Sequence, residues 1–194
     1  MGSRSSASDE KELLNPSKIL KMTRVLLITG GQRSGKSQYA EQLALSLAPN
    51  PIYVATARVF DEEFRQRVAL HQARRGPQWT NIEEEKELAR HDFSQRVVLI
   101  DCLTLWATNF FFDLNESIEQ ALLALCEQLE ALFAQKEVTY IFVTNELGLG
   151  GVSPNATQRR FTDLQGSLNQ IVAQRADEVT LMVSGIPVRI KNQL

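Results

Sequence analysis

The residues Arg24 to Thr29 (RVLLIT) form a short aliphatic, β-branched run that leads straight into Gly30-Gly31-Gln32-Arg33-Ser34-Gly35-Lys36-Ser37. That octet fits GxxxxGK[ST], and the apolar run before it and helical spacing after it supply the setting the pattern needs. A strand buried on both faces must then end in a turn whose backbone N–H groups point inward, with a helix starting near Gly35. The glycines permit the turn, the helix start adds partial positive charge, and Lys36 offsets charge on β and γ phosphates. The opening therefore commits the chain to strand, phosphate loop and helix. Ser37 is placed to hold Mg²⁺ through its hydroxyl, and such an ion needs a second anchor, usually a carboxylate ending a neighbouring buried strand.

Two carboxylates end buried apolar runs. Asp101 closes RVVLID (Arg96 to Asp101), and Glu146 closes TYIFVTNE (Thr139 to Glu146). Asp101 is the first choice for the metal, although an Asp after a strand is also a common helix N-cap. Glu146 competes for the metal or for a water-positioning role. Arg33 touches phosphate or is simply solvated.

The remaining chain keeps alternating. The spacing predicts a helix from about Gly35 to Ala48, a strand over Pro51 to Thr56, a surface helix over Asp61 to Arg74 stopped by Gly76-Pro77, and a short acidic helix over Glu83 to Arg90. Cys102 to Phe112 reads as a covered helix or turn. Ile118, Leu122, Leu125, Leu129 and Leu132 mark an amphipathic helix within Ser117 to Gln135. Thr157 to Ala176 is a long helix, and EVTLMVSGIPVRIK forms two strands about a Ser184-Gly185 turn. The fold class expected is α/β: a three-layer domain of the phosphate-loop NTPase type, with a mainly parallel sheet and an antiparallel C-terminal edge strand. Residues 1–22, polar and rich in Ser, are expected to be a disordered tail, and residues 23–194 a single domain.

Composition removes several function classes. With 21 basic and 23 acidic side chains the formal charge is −2, so no global positive field attracts nucleic acid or an anionic membrane. No run of eighteen apolar residues suggests a span, and Asp9, Glu10, Lys11 and Glu12 stand where a signal peptide needs an apolar stretch. Cys102 and Cys126 lack the spacing of a zinc site or a disulfide framework, and a cytoplasmic setting is expected. The phosphate loop alone leaves open a kinase, motor, switch or nucleotidyltransferase. A GTPase switch is disfavoured because Thr144 is followed by Asn145-Glu146-Leu147-Gly148 and not by NKxD.

Beyond the loop, YVATA (Tyr53 to Ala57), RVALH (Arg67 to His71), Trp79, Glu83, DCLTLWATN (Asp101 to Asn109), TNELGLG (Thr144 to Gly150) and VSG (Val183 to Gly185) occur in order. With GGQRSGKS, this set resembles the bifunctional adenosylcobinamide kinase / adenosylcobinamide-phosphate guanylyltransferase family of cobalamin biosynthesis, from about Val25 to Lys191. The resemblance implies two reactions. ATP or GTP phosphorylates the aminopropanol hydroxyl of adenosylcobinamide, and GMP then passes from GTP onto that phosphate, with release of pyrophosphate.

The resemblance also implies that the second step runs through a guanylylated histidine, which by motif is His71. From spacing alone, sharing a helical face with Phe64 and Val68, His71 would read as a packed histidine. The implied guanine-nucleotide contacts are Val54, Ala55, Thr56, Gln72, Ala73, Arg74, Arg75, Glu83 and Asp101, each of which also has an ordinary structural reading. Trp79 reads as core or as a cover for the site, and His91 as a surface residue. Two loops depart from the family pattern, at Arg75-Gly76-Pro77 and Ser153-Pro154-Asn155. Homotrimers are also implied, and LWATNFFFDL (Leu105 to Leu114) reads equally as a subunit contact or as one more core helix. The rival readings are a phosphate-loop small-molecule kinase without guanylyltransferase activity, and a nucleotide-gated switch.

Overall fold

A computed structural model describes residues 23–58 and 76–192. The expected N-terminal tail and the expected helix over Asp61 to Arg74 lie outside the described residues. In chain order the elements are β1 (Arg24–Gly30), α1 (Lys36–Leu47), β2 (Ile52–Ala55), β3 (Thr80–Glu83), β4 (Val97–Asp101), α2 (Leu103–Asp113), α3 (Ile118–Phe133), β5 (Thr139–Val143), α4 (Ala156–Arg175), β6 (Glu178–Val183) and β7 (Ile186–Asn192). The strands form one seven-stranded sheet in the order β3-β2-β4-β5-β1-β6-β7. Every neighbouring pair is parallel except β6 with β7. The mainly parallel sheet and the antiparallel edge are therefore as expected.

Alternation along each strand divides the core into two layers. Val25, Leu27, Val54, Val98, Ile100, Tyr140 and Phe142 pack with Leu103, Trp106, Leu125 and Leu168, which puts α2, α3 and α4 on one face. Leu26, Ile28, Tyr53, Leu99, Ile141 and Val143 pack with Ala40 and Ala44 of α1, along with Trp79 and Met182, on the other. Within LWATNFFFDL, Trp106, Phe110 and Phe111 are buried in the chain's own core. Only Phe112 of the aromatic residues there is exposed, so the core reading of that segment holds.

One expectation fails. Thr80–Glu83 is a strand, not the start of an acidic helix, and helical geometry appears only in a short 3-10 turn at Leu88–Arg90. The cause is local: the Glu84 carboxylate accepts from the backbone N–H groups of Lys86 and Glu87 and pairs with Arg90 at 2.6 Å, closing a turn where a helix would run. These partners hold the Glu84 carboxyl below the usual carboxylate range, against the burial that opposes them.

The phosphate turn is tightly constrained. Gly30 has φ 151°, and a Cβ there would lie 2.6 Å from the Met182 carbonyl oxygen of β6. Gly35 precedes α1 with φ 92° in the left-handed region, 3.3 Å by its missing Cβ from the Gly185 Cα. Gly185 donates its N–H to the Ser34 carbonyl at 3.0 Å, so the turn between β6 and β7 backs the phosphate loop.

Candidate active site at the carboxyl edge of the sheet

The phosphate loop, the residues after β2, β3, β4 and β5, and the β6–β7 turn all meet at the carboxyl ends of the parallel strands, where ligands of open α/β sheets bind. Lys36 is buried, and its Nζ donates to the Gly31 carbonyl at 2.5 Å. Burial lowers its pKa, opposed in part by the Cys102 thiol and the Asp101 carboxylate. The ammonium thus folds over its own loop, within the field of Asp101. Ser34 is buried, and its Oγ has no hydrogen-bond partner among the described residues.

Register sorts the other candidates. Ala55 pairs with Glu83 on β3 and with Asp101 on β4, which sets Glu83, Ala55 and Asp101 in one lateral row. Parallel partners at the same level share a face, and two residues earlier Tyr53 lies in the α1 layer. The row therefore points to the face over which the phosphate loop folds. Val54 packs on the opposite face against the α2, α3 and α4 layer. Thr56 is fully buried: its hydroxyl donates to the Cys102 carbonyl at 2.8 Å and accepts from the Cys102 N–H at 2.9 Å. Of Val54 to Thr56, only Ala55 presents its side chain to the phosphate-loop face.

Asp101 is not the N-cap of α2, a position taken by Cys102. Its carboxylate accepts from the Tyr53 hydroxyl at 2.6 Å, which aims it along the row. Trp79 is buried edge-on against Tyr53, with ring centroids 5.7 Å apart. The Cys102 thiol beneath is pushed up to about 12 by burial and by Asp101, so it stays a neutral packing group at neutral pH. His91 lies 3.5 Å from Glu84 and stacks on Phe93, away from the row. Among the described residues no cluster of three His, Cys, Asp or Glu side chains could hold a metal. The hydroxyl of Ser37 and the carboxylate of Asp101 are hard oxygen donors of the kind Mg²⁺ takes alongside phosphate oxygens and water. His71, Gln72, Ala73, Arg74 and Arg75 lie outside the described residues.

The sequence reading passed over the groups that brace this edge. They sit in DCLTLWATN, where polar residues interrupt an apolar helix. Thr104 Oγ1 accepts from the Asn145 N–H at 3.0 Å and from Asn145 Nδ2 at 3.1 Å. Trp106 donates to the Lys86 carbonyl, and buried Asn109 donates to the carbonyls of Thr56 and Glu85 at 2.8 and 2.9 Å. One turn on, Asp113 takes two bonds from Arg58 and one from Lys86. So α2 tethers the segments after β2, β3 and β5. An Asn inside an otherwise apolar helix was the available signal, since a buried amide needs partners.

The cobinamide kinase / cobinamide phosphate guanyltransferase family model matches residues 26–190. The chain belongs to this family. It is 40% identical over 181 residues to the bifunctional adenosylcobalamin biosynthesis protein CobP of Pseudomonas aeruginosa, covering 86% of this chain and 97% of that one. It is 36% identical to the CobU proteins of Escherichia coli and Salmonella typhimurium, covering 86% of this chain and 99% of each. Among solved structures, FlaH of Methanocaldococcus jannaschii superposes with a TM-score of 0.43 at 12% identity, over 87% of this chain and 78% of that one. A solved ATPase domain gives 0.47 at 10% identity, over 96% of this chain and 88% of that one. Family membership accounts for the motif set from YVATA to VSG. The braces just described give several of those motifs a structural reason.

Proposed function

We propose that this enzyme phosphorylates adenosylcobinamide with ATP or GTP and then transfers GMP from GTP to adenosylcobinamide phosphate through a guanylylated His71, releasing pyrophosphate. The observation that carries the reading is the shared edge: a phosphate loop with a buried lysine and, on the same face, the row Glu83, Ala55 and Asp101. Neighbouring parallel strands lie about 4.8 Å apart, so β4, β2 and β3 stand roughly 10, 14 and 19 Å from β1. Glu83 and Ala55 are thus too far to serve phosphates held at the loop and suit the nucleoside end of a bound nucleotide.

In this reading the backbone amides of Gly30 to Ser37 hold the β and γ phosphates, and Lys36 offsets their charge. Ser37 and Asp101 are the residues that would hold Mg²⁺, which when bound neutralises charge on the phosphate oxygens. A neutral imidazole at His71 attacks the α-phosphorus. The bond to the bridging oxygen breaks, pyrophosphate leaves, and the resulting phosphoramidate presents GMP to the corrinoid phosphate. The two free cysteines fit a cytoplasmic enzyme. Among the described residues no helix is long and apolar enough to cross a membrane. The chain is assigned as one domain and as a homotrimer. Exposed Ile186, Val188 and Ile190 on the outer strand β7 support self-association.

GTP labelled on its α-phosphate should leave acid-labile, base-stable label on the protein, and cobinamide phosphate should chase that label into corrinoid product. Equal labelling of a His71→Ala variant would defeat the assignment. Transfer of γ-label to cobinamide with no α-label ever retained would select a simple kinase.

A further inference from the structure

We propose that Glu146 is the group that accepts the proton of the attacking hydroxyl in the kinase step, an inference that rests on the kinase half of the proposed function. Glu146 follows β5, the strand between the phosphate-loop strand β1 and the Asp101 strand β4. Its backbone N–H donates to the Gly30 carbonyl at 3.1 Å, so its backbone is bonded directly to the residue that opens the phosphate loop. At roughly one strand spacing, about 5 Å, from β1, it stands nearer the loop than any other strand-end carboxylate described.

Elimination points the same way. The Glu84 carboxylate is taken up by two backbone N–H groups and Arg90. Glu85 and Asp113 are committed to Arg58, and Asp113 also to Lys86. Asp101 accepts from Tyr53, and Glu83 sits four strands from β1. Among the described residues the Glu146 carboxylate has one long bond, from the Thr29 hydroxyl at 3.3 Å, and is half-buried.

The chain before it is fixed with unusual thoroughness. Asn145 is held by Thr104 through its N–H and side-chain amide, and its carbonyl accepts from Asn169 at 3.1 Å. Asn169 in turn accepts from the Thr144 hydroxyl and from Gln165, all three side chains being buried. A buried polar network of this kind specifies position more than it stabilises. What it positions is the start of the Glu146 segment. The chain after Glu146 carries no charge through Asn155 and exposes Leu149 and Val152, leaving an uncharged approach for a bulky acceptor on this side.

In the step, the hydroxyl oxygen bonds to the γ-phosphorus while its proton passes to the Glu146 carboxylate. The bond from γ-phosphorus to the β,γ-bridging oxygen breaks, and the nucleoside diphosphate leaves with that electron pair. Glu146→Gln keeps the size and an oxygen able to accept from Thr29, and removes the base. Kinase kcat with cobinamide and γ-labelled nucleotide should fall about 100-fold or more, the range general-base removal gives. Guanylyl-enzyme formation from α-labelled GTP should stay within about threefold of the parent, because attack at the α-phosphorus needs no hydroxyl proton removed. Thr29→Val, which removes only the steering bond, should lower kinase kcat by less than tenfold. The proposal is overturned if Glu146→Gln leaves the kinase rate unchanged, if both activities fall together, or if excess Mg²⁺ restores the lost rate, which would make Glu146 a metal ligand. A parent enzyme that phosphorylates cobinamide without retaining α-label would refute the guanylyl-histidine reading and leave the kinase arm of this test intact.

Discussion

Replacing Asn109 tests whether α2 holds the site's edge together. Asn109 is 1% exposed, and its Nδ2 is the donor to two backbone carbonyls, those of Thr56 and Glu85, while its own Oδ1 has no partner among the described residues. Leaving a buried polar group unsatisfied costs about 1–3 kcal/mol, so Asn109→Ala strands two acceptors at about 2–6 kcal/mol and removes one orphan oxygen worth about 1–3. The net expectation is a loss of about 1–3 kcal/mol. For a chain of this length that corresponds to a Tm lower by roughly 2–12 °C. Asn109→Asp is the sharper probe, because it aims a carboxylate at two carbonyl oxygens and should cost more than alanine. Such a carboxyl has its folded pKa raised. The variant is then most stable near or below the unfolded value, about 4, loses stability as pH rises towards the raised folded value, and stays at that deficit above it. Urea unfolding followed by the fluorescence of Trp79 and Trp106, at pH 8 and pH 5, measures both effects. The reasoning fails if Asn109→Ala lies within about 0.5 kcal/mol of the parent, or if the aspartate variant matches the alanine variant at pH 8.

Two further outcomes follow from the electrostatics. Burial depresses the Lys36 pKa, so its charged form costs stability at every pH below the folded value, and that cost disappears as pH rises past the ordinary value of 10.5. Lys36→Met should therefore be more stable than the parent without nucleotide at pH 7, with the gap closing at alkaline pH, and should lose the nucleotide stabilisation of about 2.7 kcal/mol that the parent shows at 100 times Kd; differential scanning calorimetry with and without GTP checks it. Arg58 and Lys86 hold the Asp113 carboxyl well below the usual carboxylate range. Its contribution is present above about pH 4 and is lost as pH falls through the folded value, so a double-mutant cycle on Arg58 and Asp113 should give a coupling of about 0.5–1 kcal/mol at pH 7 that shrinks in acid and in high salt.

The sheet was legible because five of its strands are compact apolar runs and the phosphate loop fixes where one of them ends. Thr80–Glu83 was not legible: TNIE alternates too briefly to stand out, and it becomes a strand only by pairing with Ile52–Ala55 at the sheet's edge. The acidic composition that follows it suggested a helix, yet Glu84 turns back on its own backbone. At the site, the phosphate-loop motif named Lys36, the end of a buried strand marked Asp101, and the family resemblance pointed to Glu83. Val54 and Thr56 came with the same strand end, but a strand's period of two sends Val54 to the far face and the Cys102 backbone takes up the Thr56 hydroxyl, which no motif records. Arg58 with Asp113, and Asn109 with Thr56, are separated by 55 and 53 residues, and only the fold brings them together.

The placement of α2 explains how several loops at the carboxyl edge of one sheet are held in register. Parallel strands are joined through crossovers, so the segments at their carboxyl ends have no hydrogen-bonded turn to fix them and would move independently. A helix laid beneath those ends can bond to several at once, provided it carries donors and acceptors along its length. Thr104, Trp106, Asn109 and Asp113 meet that requirement, reaching the segments after β5, β3, both β2 and β3, and again both. The polar residues of α2 therefore fix the segments after β2, β3 and β5 relative to one another. A change in any one of them should alter how the two ends of a nucleotide are bound relative to each other, and leave the chemistry of Lys36 itself untouched.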